Sequence, residues 1–322
     1  MKPGLSELMS ERILILDGAM GTMFQRIERP DVPYDVWNLS RPAAVEDIHR
    51  KYLEAGADII ETNTFNAQRM SLSTYGKEMY VTDINFKEAL SCRKLAEEFT
   101  LKTPDKPRFV VGAIGPTACI CLPEAEGADL KYPVWTFQQF IEAYQEQMSA
   151  LIRGGVDALL IETIYHFENA KAAVWAALQS MQQTNREVSL MLSFTAPRQM
   201  DASVFADQVL SFLKGLPSLP LLSVGMNCSY GAKQMKPFVR ELSRKLPYSI
   251  SAYPSAGLPD RLGMYTQTVD HFVSEMKEYV DEGLVNLIGG CCGTTDETIA
   301  GLSTLVCSEG MWVSPHQRVA LD

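Results

Sequence analysis

The chain has 322 residues and a formal net charge of -10, with 46% hydrophobic and 21% charged residues. This length is long for one domain, although α/β barrels reach it as a single unit, and the composition is typical of a globular protein with a large core. The negative charge disfavours nucleic acid and anionic membranes as partners. No apolar run approaches the roughly 20 residues that cross a bilayer, and no signal peptide opens the chain, so we expect a cytoplasmic protein.

Eight short apolar segments alternate with amphipathic helical segments along the chain. The predicted strands are 13–17, 58–62, 109–112, 158–163, 188–193, 221–226, 248–252 and a last one that begins at 285. The predicted helices between them are 42–56, 83–100, 136–154, 168–181, 202–214, 233–245 and 269–283, and one more follows the last strand. Two helices are predicted to open on capping boxes, Thr136 with Gln139 and Thr294 with Glu297.

The strict alternation predicts parallel strands joined by helical crossovers, and eight strand-helix pairs predict a closed (β/α)8 TIM barrel, an α/β fold. A doubly wound open sheet with additional elements is the alternative. We expect residues 1–10 to form an N-terminal extension, residues 11–310 a single barrel domain, and residues 311–322 a C-terminal tail or linker stub.

Seven cysteines lie at positions 92, 119, 121, 228, 291, 292 and 307. An odd number in a cytoplasmic chain of this length favours free thiols, metal ligands or catalysis over a disulfide framework. Cys92 and Cys307 fall on predicted helices and are expected to pack there. Cys119 and Cys121 lie in the loop after strand three, and their role, redox chemistry included, stays open.

Glycine-rich or polar segments follow most of the predicted strands, and in such barrels the active site lies at this carboxyl end. Cys228 follows strand six, and the adjacent pair Cys291 and Cys292 follows strand eight. Neighbouring side chains of a strand point to opposite faces, but the glycines that flank the pair free it from that geometry. The three cysteines are therefore predicted to share one rim.

Three thiolates with one open position describe a zinc site that keeps a place for a substrate, although buried cysteines also serve simply as small apolar side chains. Three thiolates leave the ion with a net negative charge, which makes it a weak activator of water. It suits an incoming thiol, which loses its proton on binding metal. A barrel hydrolase with metal-bound water would need His or carboxylate ligands, and the sequence has no His cluster.

Several strings resemble those of one enzyme family. They are LDGAMGT at 16–22, ETNTFN at 61–66, IET at 161–163, MNC at 226–228 and GGCCGTT at 289–295. In content and order they resemble the homocysteine S-methyltransferase family, most strongly the N-terminal homocysteine-binding module of cobalamin-dependent methionine synthase. The resemblance covers about residues 11–307. It implies a (β/α)8 barrel that binds homocysteine and holds Zn²⁺ on Cys228, Cys291 and Cys292.

The resemblance also implies where the amino-acid end of homocysteine binds. Asp17 and Glu162 are the candidate carboxylates for the substrate ammonium, with a cap or loop hydrogen bond as the alternative for each. Gly18 and Gly21 are candidates to offer backbone N–H groups to the substrate carboxylate. Asn227 is a further substrate-binding candidate, although its place beside Cys228 favours a loop anchor. No catalytic residue beyond the zinc site is predicted.

The implied reaction is methyl transfer to homocysteine, which gives methionine. Because the chain ends where a synthase would continue into cobalamin- and folate-binding modules, methylcobalamin on a separate module or protein is the expected donor. The alternatives are S-methylmethionine or betaine as donor, and a zinc-thiolate module that binds thiols without transferring methyl groups. Two departures from the synthases concern donor docking: a short APRQMDAS segment after strand five, and Tyr253 where the synthases commonly carry histidine.

Overall fold

The computed structural model describes residues 3–121, 134–308 and 311–317. The eight main strands are β1 Leu14–Ile15, β2 Ile59–Glu61, β3 Phe109–Ile114, β4 Ala158–Ile164, β5 Ser189–Phe194, β6 Leu221–Gly231, β7 Ser249–Ser255 and β8 Leu287–Ile288. The helices are α1 Leu5–Glu11, α2 Gly21–Gln25, α3 Trp37–Ser40, α4 Pro42–Glu54, α5 Arg69–Ser73, α6 Val81–Lys102, α7 Phe137–Gly154, α8 Phe167–Thr184, α9 Ala202–Lys214, α10 Ala232–Lys245, α11 Val269–Asp281 and α12 Asp296–Val306. Two-residue strands at Ile120–Cys121 and Val134–Trp135 pair with each other, as do Cys307–Ser308 and Met311–Trp312.

The eight main strands form one parallel sheet in which each strand pairs with its neighbours in the chain. The first and last strands are also paired, Leu14 with Leu287 and Ile15 with Ile288. A parallel bridge between Leu16 and Ile59 joins β1 to β2 and completes the ring. The predicted (β/α)8 barrel is confirmed, and the open doubly wound sheet is excluded.

Side chains from alternate strand positions fill the interior of the barrel, as the two-residue period of a strand requires. They form one buried cluster with three residues of α1, Leu5, Leu8 and Met9. Each buried aliphatic side chain stabilises the fold by about 1.5–3 kcal/mol. Helix α1 therefore closes the amino-terminal end of the barrel, which leaves the carboxyl ends of the strands as the open end.

The helices bury their apolar faces against the outside of the sheet. In α7 these residues include Phe140, Tyr144 and Met148. The predicted capping box at its start is confirmed, since Thr136 Oγ1 accepts from the N–H of Gln139 at 3.2 Å and Gln139 Oε1 accepts from the N–H of Thr136 at 2.8 Å. Among the described helices, none combines the length and apolar character needed to span a membrane.

Both chain ends pack against the amino-terminal end of the barrel where the structure describes them. The N–H of Ile13 donates to the carbonyl of Val313 at 3.3 Å, and the N–H of His316 donates to Val285 at 3.0 Å. Of the predicted extension and tail, residues 1–2 and 318–322 lie outside the described part of the chain. Helix α1 was not predicted, because its polar sequence carries only three buried positions.

Candidate metal and substrate site

The three predicted metal ligands meet at the carboxyl end of the barrel. Cys228 lies near the end of β6, and Cys291 and Cys292 lie just beyond β8. The sulfur atoms of the three residues lie within 4.8 Å of one another. The prediction that residues more than sixty positions apart share one rim is therefore confirmed.

The backbone around Cys228 is irregular. We expected strand six to end at Met226, but β6 continues to Gly231, and its pairing with β7 shifts register between Asn227 and Gly231. Cys228 and Ser229 cause the shift, because they adopt left-handed conformations with φ of 50° and 58°. Such conformations cost non-glycine residues of order 1 kcal/mol and concentrate at functional sites. Here they turn the Cys228 sulfur toward the residues that follow β8.

A tight turn after β8 places the adjacent cysteines. The N–H of Cys291 donates to the carbonyl of Pro254 at 2.9 Å, and both the N–H and the hydroxyl of Thr294 donate to the carbonyl of Cys291, at 3.1 and 2.7 Å. A Cβ atom on Gly290 would lie 2.4 Å from Thr294 Oγ1, so only glycine fits there. Gly293 has a φ of 84°, which favours glycine as well.

This use of Thr294 corrects the predicted cap of the last helix. The Thr294 hydroxyl also accepts from the N–H of Ala19 at 3.2 Å, so it ties the turn to the loop after β1. The helix α12 begins one residue later than predicted, with Thr295 as its N-cap and Thr298 in place of Glu297 as the reciprocal partner.

The structure joins Cys228 and Cys291 in a disulfide, with their Cα atoms 5.7 Å apart, whereas Cys292 is free. The cysteine count favoured free thiols, metal ligands or catalysis over a disulfide framework, so a bond between these two residues was not expected. The two chain segments bring the thiols close enough for a covalent bond, since their Cα separation lies within the range of disulfides. Because only a thiolate binds zinc, this bond must be reduced before all three sulfurs can act as ligands.

The donor set fits one zinc ion. All three residues are half-buried, so an ion and a fourth ligand have access. With Zn–S bonds of about 2.3 Å, sulfur ligands of a tetrahedral site lie roughly 3.8 Å apart, a separation smaller than the 4.8 Å within which the three sulfurs lie. A second group of metal-binding residue types, His49, Glu88 and Cys92, is completely buried behind the barrel strands, and its members already bond to one another.

A cavity of about 790 Å³ opens beside the three cysteines. Its wall is formed by residues 18–22, 30–35 and 61–66, together with Glu162, Tyr253 and the three cysteines. Gly18, Gly21 and Glu162, three of the substrate-binding candidates, lie on this wall. Asp17 and Asn227 are buried behind the wall, and Cys119, whose role was left open, lies on it.

Among the carboxyl groups in or behind this wall, those of Asp17, Glu61 and Glu162 lie close enough to influence one another. The backbone N–H of Glu61 donates to Asp17 Oδ2 at 3.0 Å, so Asp17 fixes the backbone of a cavity residue. Glu162 accepts hydrogen bonds from Asn227 Nδ2 at 3.3 Å and from the Tyr253 hydroxyl at 3.5 Å. Glu61 and Glu162 face the cavity together, and a hydrogen bond joins their carboxyl groups.

Burial raises the pKa of all three carboxyl groups. It raises the pKa of Glu61 to about 7, and the pKa values of Glu162 and Asp17 rise well above their usual range. The negative charge of Glu61 raises the pKa values of Asp17 and Glu162 further. The sulfur of Cys292 also lies close enough to raise the pKa of Glu162. Each of these carboxyl groups is therefore harder to ionise than an exposed one, and a nearby cation would favour its ionised form.

Asn227 is an anchor rather than part of the cavity wall. Its Oδ1 accepts from the N–H of Thr163 at 3.0 Å and from the Ser193 hydroxyl at 2.7 Å. Its Nδ2 donates to Thr163 Oγ1 at 2.8 Å and to Glu162. Thr163 is itself left-handed, with a φ of 56°. Asn227 thus holds the bend after Glu162 and precedes Cys228, which links the carboxyl group to a metal ligand.

Two residues of the site were missed by the sequence predictions. Glu61 opens the ETNTFN string and is the last residue of β2, at the predicted rim, so its position was a sufficient signal. Tyr253 was noted only as a departure from the synthases. It occupies an interior position of β7, which directs its buried hydroxyl to Glu162.

The sequence profile of homocysteine S-methyltransferases matches residues 14–306, nearly the whole barrel. The chain belongs to the homocysteine S-methyltransferase family. The sequence strings that resemble this family include the three cysteines and the residues around them. The activity of this family is transfer of a methyl group to homocysteine.

Solved structures show the same fold. The metallated form of the homocysteine methyltransferase MmuM from Escherichia coli is 23% identical, with a TM-score of 0.69 over 91% of this chain and 96% of that chain. Its oxidized form is 22% identical, with a TM-score of 0.68 over 91% and 95% of the two chains. Its apo form is 20% identical, with a TM-score of 0.64 over 94% and 98%.

Proposed function

We propose that this chain methylates the sulfur of homocysteine to give methionine, with Zn²⁺ held by Cys228, Cys291 and Cys292. One observation carries the proposal: three cysteine sulfurs and the carboxyl groups of buried Glu162 and half-buried Glu61 face the same cavity at the open end of the barrel. Homocysteine carries a thiol at one end and an ammonium group at the other. The cavity offers each of them a partner of matching chemistry.

The metal supplies activation of the sulfur: an ion held by three thiolates converts an incoming thiol, whose free pKa is about 8.5, to the thiolate at neutral pH. The protein residues supply the rest. Glu162, with Glu61 beside it, receives the substrate ammonium, and Asp17 and Asn227 hold these two residues in place. Gly18 and Gly21 lie on the wall where backbone N–H groups can meet the substrate carboxylate.

The proton content of the carboxyl pair fits this role. Without a cation, burial raises the pKa values of Glu61 and Glu162, and the charge of Glu61 raises the pKa of Glu162 further, so the pair retains a proton more readily than isolated carboxyl groups. An ammonium group within a few ångströms favours the ionised forms and lowers both pKa values. The pair then gives up its proton and neutralises the substrate charge. Positioning of the thiolate and the methyl carbon in line supplies the remaining rate enhancement.

For the methyl donor we propose methylcobalamin carried by a separate module or protein, which is supported by the strings shared with methionine synthase. A second candidate is a small cationic donor such as S-methylmethionine or betaine. It is favoured by the charge of the wall, which carries Asp31, Asp35, Glu61 and Glu162 and, among its described residues, no basic side chain. Zinc-dependent thiol binding without transfer is the non-enzymatic rival.

A donor panel tests the proposal. We expect reduced, zinc-loaded protein to form methionine from homocysteine with methylcobalamin, and to do so at least tenfold faster than with S-methylmethionine or betaine. Methionine is measured by mass spectrometry, and protein treated with a chelator serves as the control. A faster reaction with either cationic donor would replace the donor assignment. Homocysteine binding with no methionine from any donor would leave only the thiol-binding module.

A further inference from the structure

A buried carboxylate lies outside the proposed site and has no role in it so far. Glu88 on α6 is 3% exposed, and His49 on α4 and Cys92, one turn further along α6, are 0% exposed. Burial of a carboxylate costs several kcal/mol unless hydrogen bonds compensate for its lost hydration. A glutamate at this place in an apolar layer therefore needs partners.

The partners of Glu88 all converge on one oxygen. Glu88 Oε1 is 2.7 Å from His49 Nε2 and 3.5 Å from Cys92 Sγ, and it accepts the backbone N–H of Asn63 at 3.0 Å. The N–H of Asn63 lies beyond the last sheet bond of β2, which the N–H of Thr62 donates to Val111. Beyond the last bond of the sheet, the carboxylate of Glu88 is therefore the acceptor for the next backbone N–H, and His49 holds that carboxylate in place.

Asn63 in turn joins the two segments that form one side of the cavity. Its side chain donates to the carbonyl of Tyr34 at 2.9 Å and to Asn38 Oδ1 at 2.8 Å. Its own carbonyl accepts from Asn38 Nδ2 at 2.8 Å. A second contact runs from the N–H of Asn66 to Asp35 Oδ1 at 2.7 Å. Residues 30–35 and 61–66, both on the cavity wall, are fastened to each other largely through Asn63.

We propose that Glu88, held by His49, is a positioning residue of the cavity: it fixes the backbone of Asn63 and, through Asn63, the segment around Tyr34. The effect on substrate rests on the proposed function, because it requires homocysteine to occupy this cavity. Glu61 lies two residues before Asn63, so a shift at Asn63 also moves the partner of Glu162. This series of contacts thereby couples α4 and α6, which lie outside the barrel strands, to the shape of the substrate site.

The test compares Glu88→Ala, Glu88→Gln and Cys92→Ala in the full, zinc-loaded chain. Cys92→Ala is the matched control, because it also removes a buried side chain from α6 but leaves the bond to Asn63. We expect Glu88→Ala to speed hydrogen–deuterium exchange of residues 61–66 and 30–38 about tenfold or more, because the variant loses a hydrogen bond to a charged group. Glu88→Gln keeps an oxygen acceptor and should restore most of the protection.

On the substrate side, Glu88→Ala should raise the KM for homocysteine about tenfold with a change in kcat below about twofold. The proposal would be overturned if hydrogen–deuterium exchange were equally fast in Glu88→Ala and Cys92→Ala, or if Glu88→Ala left the KM for homocysteine unchanged. The exchange measurement needs no substrate. It therefore separates the two hypotheses, because unchanged exchange removes the role of Glu88, whereas absent homocysteine binding by the unmodified chain removes the proposed function.

Discussion

Replacement of Cys228, Cys291 or Cys292 by serine is expected to weaken zinc binding by about a hundredfold or more in each case. The estimate follows from sharing the roughly 10–16 kcal/mol of a structural zinc site among four ligands. A serine hydroxyl remains protonated at neutral pH and is a poor substitute for a thiolate. The measurement is zinc content per chain after equilibration with a chelator under reducing conditions, because the Cys228–Cys291 disulfide has to be open.

Cys307→Ser is the matched control for this series, since Cys307 is a half-buried cysteine that lies at the end of α12, outside the cavity. It should retain stoichiometric zinc. A variant of the first three that kept the zinc content of the unmodified chain would remove its residue from the metal site.

Replacement of Glu162 by glutamine is expected to weaken homocysteine binding about thirtyfold to a hundredfold, and to weaken binding of 4-mercaptobutyric acid, the same thiol without its amino group, less than about threefold. A hydrogen bond between two buried opposite charges contributes about 1.5–3 kcal/mol, and leaving one charge without its partner adds to the loss. Glutamine preserves the size of the side chain and its bond to Asn227. Dissociation constants from calorimetry give the comparison.

Glu168→Gln provides the control, because Glu168 lies in the first turn of α8 and is not part of the cavity wall. It should change neither affinity. Equal losses for the two thiols in Glu162→Gln would mean that Glu162 supports the structure of the site and does not recognise the ammonium group.

The barrel and the grouping of three cysteines on its rim could be predicted from the sequence because their signals are local. Each strand is a short run of apolar residues, and each crossover helix has a clear apolar stripe, as in α7. Since the carboxyl ends of parallel strands share one rim, Cys228, Cys291 and Cys292 could be grouped once the strands had been counted. The capping box of α7 was predictable for the same reason.

The remaining features depend on contacts between distant segments. The shift of the α12 cap from Thr294 to Thr295 follows from the bond between Thr294 and Ala19, which belongs to the loop after β1. The left-handed bend at Cys228 falls in the gap before β6 resumes pairing with β7, where Gly231 pairs with Ser255. The link from Glu88 to Asn63 joins residues 25 positions apart through a single buried oxygen. Neither a periodicity nor a motif in the sequence indicates such bonds.

The central claim is that homocysteine is activated by direct binding of its sulfur to zinc beside Cys228, Cys291 and Cys292. Proton release on binding would be an ambiguous test, because the thiol proton would be counted together with protons that leave Glu61 and Glu162, whose pKa values are raised. X-ray absorption at the zinc edge counts sulfur neighbours directly. We expect three sulfurs in the reduced, zinc-loaded protein and four after homocysteine is added. Tight homocysteine binding with the count still at three would contradict the claim, because the thiol would then be held without being activated.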